Sequence, residues 1–263
     1  MTNQGEMRVE VTGAVMPKMF GPVWSDLGEV HKTTEVLNRF PDADKHKGFS
    51  LLELSPLEAN LRAAVVLLVG RMFGAGRERL IALAAIVQLV FLGMRVHGQI
   101  GEDGAGPDDR NRLAVLIGDY YYGRFFALAA TTGMTEFVRP LTEIVRRLNE
   151  GTMTRLHLSP TTAVVRESIR QETAALLAEA CRTAGQVAGA GADEQLILYR
   201  LGHDLGMGYW LMERELRTEA LVSLRVARAR LADLPGGVER DALDALVAYL
   251  LDWPEQSVAD VQS

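Results

Sequence analysis

Hydrophobic positions along this chain fall into long blocks spaced as one face of a helix, and glycine or proline clusters separate the blocks. Ser55-Pro56 opens the first sharp block. A serine oxygen can cap orphan N–H groups, and proline has no N–H to leave unsatisfied in a first turn. The pattern predicts a helix over 57–73, stopped by Gly74-Ala75-Gly76, and a second over 78–97, broken by the glycine-rich segment 98–107. A third is predicted over 113–131, closed by Gly133, and a fourth over 135–150, with Arg146 and Arg147 near the end where a helix dipole favours cations. Ser159-Pro160 repeats the start signal and opens a helix to 188, ended by Gly189-Ala190-Gly191. Asp193 is the expected cap of the next, which runs to about 217 or beyond, and two amphipathic helices split by Pro235-Gly236-Gly237 complete the pattern.

Residues 1–48 are less regular, although Val23, Leu27, Val30 and Leu37 fall near helical spacing and predict a short amphipathic helix. No stretch alternates as a strand does, and no repeat period stands out. The expected architecture is a single all-α domain over 49–263, a helical bundle, preceded by an N-terminal arm over 1–48.

Composition narrows the function classes. With 263 residues and 48% hydrophobic content, the chain can bury one substantial core or two smaller ones without metals or disulfides. A net charge of −6 with no basic stripe argues against nucleic acid as a partner. The single Cys181 cannot form an internal disulfide, and no charged-then-apolar leader opens the sequence, so a cytoplasmic location is expected. The apolar run 80–94 is interrupted by Gln88 and is shorter than the roughly 20 residues that cross a bilayer, which predicts a buried core helix and no transmembrane segment.

Several catalytic readings fail on spacing. Gly70-x-x-x-Gly74 and Gly202-x-x-x-Gly206 lack the preceding strand and following lysine of a phosphate loop, and read as close helix contacts. His31, His46, His97, His157 and His203 form no i,i+4 pair around a carboxylate, so no zinc site is expected. Cys181 lies in an apolar helical stretch and reads as a buried thiol. The exception is Gly118-Asp119, placed inside an apolar helix just before Tyr120, Tyr121 and Tyr122. Glycine there costs about 1 kcal/mol relative to alanine, and a buried aspartate needs partners, so the fold must compensate.

The run Val115-Leu116-Ile117-Gly118-Asp119-Tyr120-Tyr121-Tyr122-Gly123-Arg124 resembles the Gly-Asp helix of the trans-polyprenyl diphosphate synthases. Its aromatic continuation is most similar to component I, the small subunit of heterodimeric heptaprenyl-type synthases, and the likeness extends in order from about Leu61 to Trp253. Against that frame the chemistry is missing. Glu58-Ala59-Asn60 stand where the family has its Gly-Lys-Arg diphosphate motif, leaving Arg62 as the one matching candidate for substrate binding. Arg170-Gln171-Glu172-Thr173 resembles the Lys-Thr helix, with Thr173 kept and Glu172 in place of lysine. The first metal-binding aspartate motif aligns with Gly98, Gln99 and Glu102, and the second with Glu213, Arg214 and Arg217. Such a motif needs carboxylates four residues apart on one helix face, and two arginines occupy places meant for cation ligands. Asp103, Asp108 and Asp109 nearby read as loop acids or helix caps.

The resemblance therefore implies no catalytic residue and no metal bound by this chain, and magnesium held by a catalytic partner, the large subunit or component II. The complex would extend farnesyl diphosphate with isopentenyl diphosphate, giving the long prenyl group of the menaquinone side chain. Gly118, Asp119, Tyr120, Tyr121, Tyr122, Phe125 and Phe126 would form a subunit interface, wall a product tunnel, or simply pack in the core. A lone chain with such an apolar helix face would be prone to homodimerise. Two alternatives stay open. One is a self-sufficient prenyltransferase or terpene-synthase-like enzyme with degenerate metal motifs using Glu102, Asp103, Asp108 or Asp109; the other is a helical interaction protein in which 201–209 and the aromatic cluster are ordinary packing.

Overall fold

Ser55 sits at a helix N-cap, where its hydroxyl accepts a hydrogen bond from the Glu58 amide at 3.1 Å, and Pro56 is the first residue of helix α2 (Pro56–Met72). The computed structural model describes residues 16, 19–34, 52, 54–99, 108–157 and 161–253, with the side chains of 108–110, 148–157 and 172 set aside. Among these residues there is no strand.

Upstream of α2, a 3-10 turn (Gly21–Val23) leads into α1 (Trp24–Thr34), the amphipathic helix predicted in the arm; Leu37 lies outside the described residues. After α2, Gly74 takes the left-handed conformation (φ 79°) that a side chain would resist, and α3 follows (Arg77–His97). Next come α4 (Asp108–Thr131), closed by Gly133 at φ 68°, and α5 (Val138–His157). Asp108 and Asp109 begin α4 and do not belong to a loop. Helix α5 runs past the predicted end because glycine at 151 is tolerated inside a helix. Arg146 and Arg147 consequently sit mid-helix, paired with Glu143, whose carboxyl they hold at about 2.

The helix expected over 160–188 divides. Thr161 caps α6 (Thr162–Ile169) through its hydroxyl, while Ser159 and Pro160 lie outside the described residues. A wider π-helical turn (Arg170–Ala174) then leads into α7 (Ala175–Val187). Thr173 donates to the Ile169 carbonyl at 3.0 Å within that turn, a back-bond that competes with regular helix pairing. Helix α8 (Ala192–Glu213) is capped at Gly191, not by Asp193. The Glu194 carboxylate, three residues on, reaches back to accept from the Gly191 amide at 2.7 Å. Helices α9 (Arg217–Arg230) and α10 (Val238–Leu251) close the described chain.

Helices α2 and α3 form the centre. Residues 82–93 of α3 are all buried, so the helix that is long and apolar enough to span a bilayer is a core helix here. α3 packs on α1, α2 and α4; α2 also meets α7 and α10; and α8 lies between α7 and α9. Gly202 permits the α7–α8 contact, since a Cβ there would stand 2.8 Å from the Ala178 Cα, and Gly206 lets α8 meet the π-helical turn, where a Cβ would stand 2.8 Å from the Ala174 Cα. Cys181 is buried beside that contact, and loss of solvation pushes its thiol up to about 12.

Polar anchors tie α1 to the bundle. The carboxylate of Asp26, fully buried, pairs with Arg71 and with Arg77 (Nε at 2.7 Å), and Arg71 also donates to the Pro22 carbonyl. Arg124 of α4 donates to the Thr33 carbonyl at 3.0 Å, placing a cation at the carbonyl end of α1.

Candidate functional site

The Gly-Asp pair on α4 is compensated from α3. A Cβ on Gly118 would overlap the imidazole of His97, and a Cβ on Gly93 would lie 3.0 Å from the Tyr122 ring and 3.3 Å from the Gly118 carbonyl. Glycine at both positions lets the two helices cross closely enough for His97 to lie against α4. Its Nε2 stands 3.3 Å from the Val115 carbonyl and 3.3 Å from the Asp119 carboxylate, and its ring meets Tyr122 edge-on at 5.3 Å. Asp119 is exposed, so its partner is His97 and solvent instead of a buried group. Burial, reinforced by Asp119, pushes the Tyr122 phenol up to about 12.

The aromatic cluster splits by side of the helix. Tyr121 and Phe125 are core, whereas Tyr120 and Tyr122 are half-buried. Phe126 is 47% exposed, and Leu116 (64%) and Val115 (40%) are exposed on the same helix. Exposed apolar side chains thus lie along the outer side of α4 on both sides of the exposed Asp119, interspersed with small residues Gly123 and Ala127, which are also exposed.

A second feature lies between α2, α3 and α8. Arg62, 2% exposed, lays its guanidinium 3.2 Å above the Phe91 ring and donates to the Glu58 carbonyl at 3.0 Å. Burial draws its pKa down to about 10. Arg62 and Arg95 each stand 5.6 Å from the centre of the Trp210 ring. The Glu58 carboxylate lies 3.3 Å from Arg95 Nε without hydrogen-bond geometry. Arg62 is therefore enclosed by aromatic rings rather than presented to a ligand. Sequence reasoning missed Arg95, Phe91, Tyr209 and Trp210 as its companions. The one available signal was a pair of arginines set into otherwise apolar helices.

The third feature is a break. Helix α8 ends at Glu213, Glu215 takes the left-handed conformation (φ 61°), and the Leu216 amide closes back on the Leu211 carbonyl at 2.9 Å. The helix predicted to reach 217 thus stops four residues early, and Arg217 opens α9. Glu213 and Arg214 are exposed at the end of one helix, while Arg217 belongs to another and donates to the Trp253 carbonyl at 2.8 Å. At the other candidate position Gly98 terminates α3, Gln99 is half-buried with its side-chain oxygen unbonded, and Glu102 and Asp103 lie outside the described residues.

This arrangement of helices superposes on a decaprenyl diphosphate synthase from Rhodobacter capsulatus with a TM-score of 0.71, covering 89% of this chain and 98% of that one at 18% identity. The chain has the isoprenoid synthase fold. No protein-family model matches it. Sequence relatives are prenyl diphosphate synthases: the octaprenyl diphosphate synthase of Escherichia coli, 23% identical over 58% of this chain, and heptaprenyl diphosphate synthase component 2 of Geobacillus stearothermophilus, 25% identical over 58%. The aligned part spans about half the length of each, 51% and 52%.

The residues that the resemblance aligns with a second aspartate motif, Glu213, Arg214 and Arg217, do not share one helix. Carboxylates that chelate together must share a helix face, and the chain turns out of helix between 213 and 217 and supplies two guanidiniums. Among the described residues no three His, Cys, Asp or Glu side chains converge as a metal site.

Proposed function

We propose that this chain is the non-catalytic subunit of a two-component polyprenyl diphosphate synthase, acting in the cytoplasm beside a catalytic subunit that carries the aspartate motifs and their magnesium. The observation that carries the reading is the helix break after Glu213, because it removes the geometry as well as the charge that metal-assisted departure of pyrophosphate requires. The exposed ridge of Val115, Leu116 and Phe126 supports a docking role, since an apolar strip of this kind on a helix offers the anchors from which interfaces draw most of their energy. The likeness to a synthase component whose name implies a second component points the same way. By the resemblance, the complex extends farnesyl diphosphate with isopentenyl diphosphate toward a heptaprenyl-type chain for menaquinone.

The isolated chain, given farnesyl diphosphate, labelled isopentenyl diphosphate and magnesium, is expected to yield no prenyl product, and to raise long-chain synthesis when mixed with its catalytic subunit. Magnesium-dependent product from the chain alone overturns the proposal and favours a self-sufficient enzyme. Leu116→Glu and Phe126→Glu should each abolish co-purification with the partner while leaving the melting temperature of the free chain within a degree or so, because both side chains are already exposed. Retained co-purification would place the interface elsewhere.

A further inference from the structure

Helices α9 and α10 form a hairpin tied together along its own length. Arg217 at its start donates to the Trp253 carbonyl at 2.8 Å, and midway the Arg228 guanidinium meets the Asp244 carboxylate through two bonds of 2.7 and 2.8 Å. The hairpin rests mainly on α8 and α2. Ala220, Leu224 and Ala227 of α9 are buried, Leu224 lies so close to Gly208 that a Cβ there would stand 2.5 Å from its Cγ, and Arg230 donates to Asp204 at 2.6 Å.

Only the joint 214–216 links this hairpin to α8. It closes with the Leu216 amide on the Leu211 carbonyl at 2.9 Å and the Glu215 amide on the Met212 carbonyl at 3.0 Å, a turn whose left-handed position normally takes glycine. Glu215 fills that position at φ 61°, where its Cβ is crowded. Glu213, Arg214 and Glu215 are all exposed, so the joints of two molecules can approach each other.

We infer that the α9–α10 hairpin is exchangeable: two copies of this chain form a dimer in which each lays its hairpin on α8 and α2 of the other. The exchange keeps the contacts of the hairpin and opens only the strained turn, freeing Glu215 from the left-handed conformation in both copies. A short hinge under strain beside a self-contained element is the arrangement that favours such swapping. Three extended residues reach about 10 Å, so the two α8 ends meet close to the two-fold axis. The partner is a second copy because only the same hairpin reproduces the pairings of Gly208 with Leu224 and of Asp204 with Arg230. The inference uses neither the exposed side of α4 nor the subunit reading, which a failure here leaves in place.

Asp204→Arg and Arg230→Asp each set like charges together within one molecule. Exchange between the two variants restores opposite charges at both α8–α9 contacts, whereas association through any other face does not. The full-length variants, singly and in equal mixture, are refolded from urea at high protein concentration and their dimers counted by native mass spectrometry. Mixed dimers should make up about 90% of all dimers in the mixture, in place of the half that random pairing gives. Glu215→Gly, which takes the left-handed position without crowding, should raise the dissociation constant of the wild-type dimer at least about tenfold. Random pairing, as a side-by-side contact through α4 would give, overturns the inference, and so does the absence of any dimer or a dimer that Glu215→Gly does not weaken. Should the charge variants fail to refold singly, recovery of folded mixed dimer on mixing supports it, and absence of recovery, with Glu215→Gly refolding normally, overturns it.

Discussion

Replacing Gly118 by alanine puts a methyl group where the His97 ring lies, and two opposed terms decide its effect. Alanine gains about 1 kcal/mol over glycine inside a helix. Forcing a methyl into a filled crossing costs about 1–3 kcal/mol, because His97 must leave its place between the Val115 carbonyl and Asp119, both 3.3 Å away. The packing term wins, so Gly118→Ala should destabilise by about 1 kcal/mol. In a His97→Ala background the overlap disappears while the propensity gain stays, and the same substitution should stabilise by about 0.5–1 kcal/mol. The two residues are then coupled by about 2 kcal/mol, with a change of sign that few other mechanisms produce. Urea denaturation of the wild type, both single variants and the double variant, followed by far-ultraviolet circular dichroism, measures all four corners. If Gly118→Ala stabilises the wild type as much as it stabilises His97→Ala, the Gly-Asp pair does not exist to seat the histidine.

Other outcomes follow from the same contacts. Asp26→Ala should lower stability by about 2–3 kcal/mol in urea titration, less than the roughly 3–5 kcal/mol for a fully buried pair, because the side chains of Arg71 and Arg77, 28% and 55% exposed, can regain water. A loss under about 1 kcal/mol would mean that α1 is not anchored through this carboxylate. Burial raises the phenols of Tyr121, Tyr122 (to about 12, with Asp119 adding) and Tyr209. A folded-state pKa above the unfolded one contributes stability that is fully present below about pH 10 and is lost as pH climbs toward 12. Absorbance titration should therefore show these three of the six tyrosines ionising late, together with unfolding, and Tyr122→Phe should lessen the loss of stability in that window. A single common transition near about pH 10 would contradict the burial. Cys181, buried and with its thiol pushed up to about 12, should react with a thiol reagent only at the rate of unfolding. Rapid modification of the native protein would show that the α7–α8 contact opens.

The helices were legible because their punctuation is local. Ser55-Pro56, Gly74, Gly133 and Gly189 act on their own neighbours, and each marks a boundary that the structure keeps. Reading failed where a boundary depends on a choice between equals. Asp193 and Glu194 both sit in the first turn of α8, and only three-dimensional reach selects Glu194 as the partner of the Gly191 amide. Nothing in Glu213-Arg214-Glu215-Leu216-Arg217 marks a stop, since the break rests on a left-handed Glu215. Of the candidate site, the oddity of Gly118-Asp119 could be read, but not its explanation, because His97 lies on another helix and reaches Gly118 only through tertiary packing. Likewise the aromatic run announced a contact surface without saying which rings face inward; that follows from the rotation of α4 against α3.

Arg217 gives the break a directional character. Its guanidinium donates to the Trp253 carbonyl at 2.8 Å, fastening the start of α9 to the segment just beyond α10. An aspartate placed there would exchange that fastening for a carboxylate facing a carbonyl oxygen. Arg217 thereby acts as a clasp between distant parts of the chain: a change at this one side chain slackens the α8–α9 joint and the seat of the segment after α10 together.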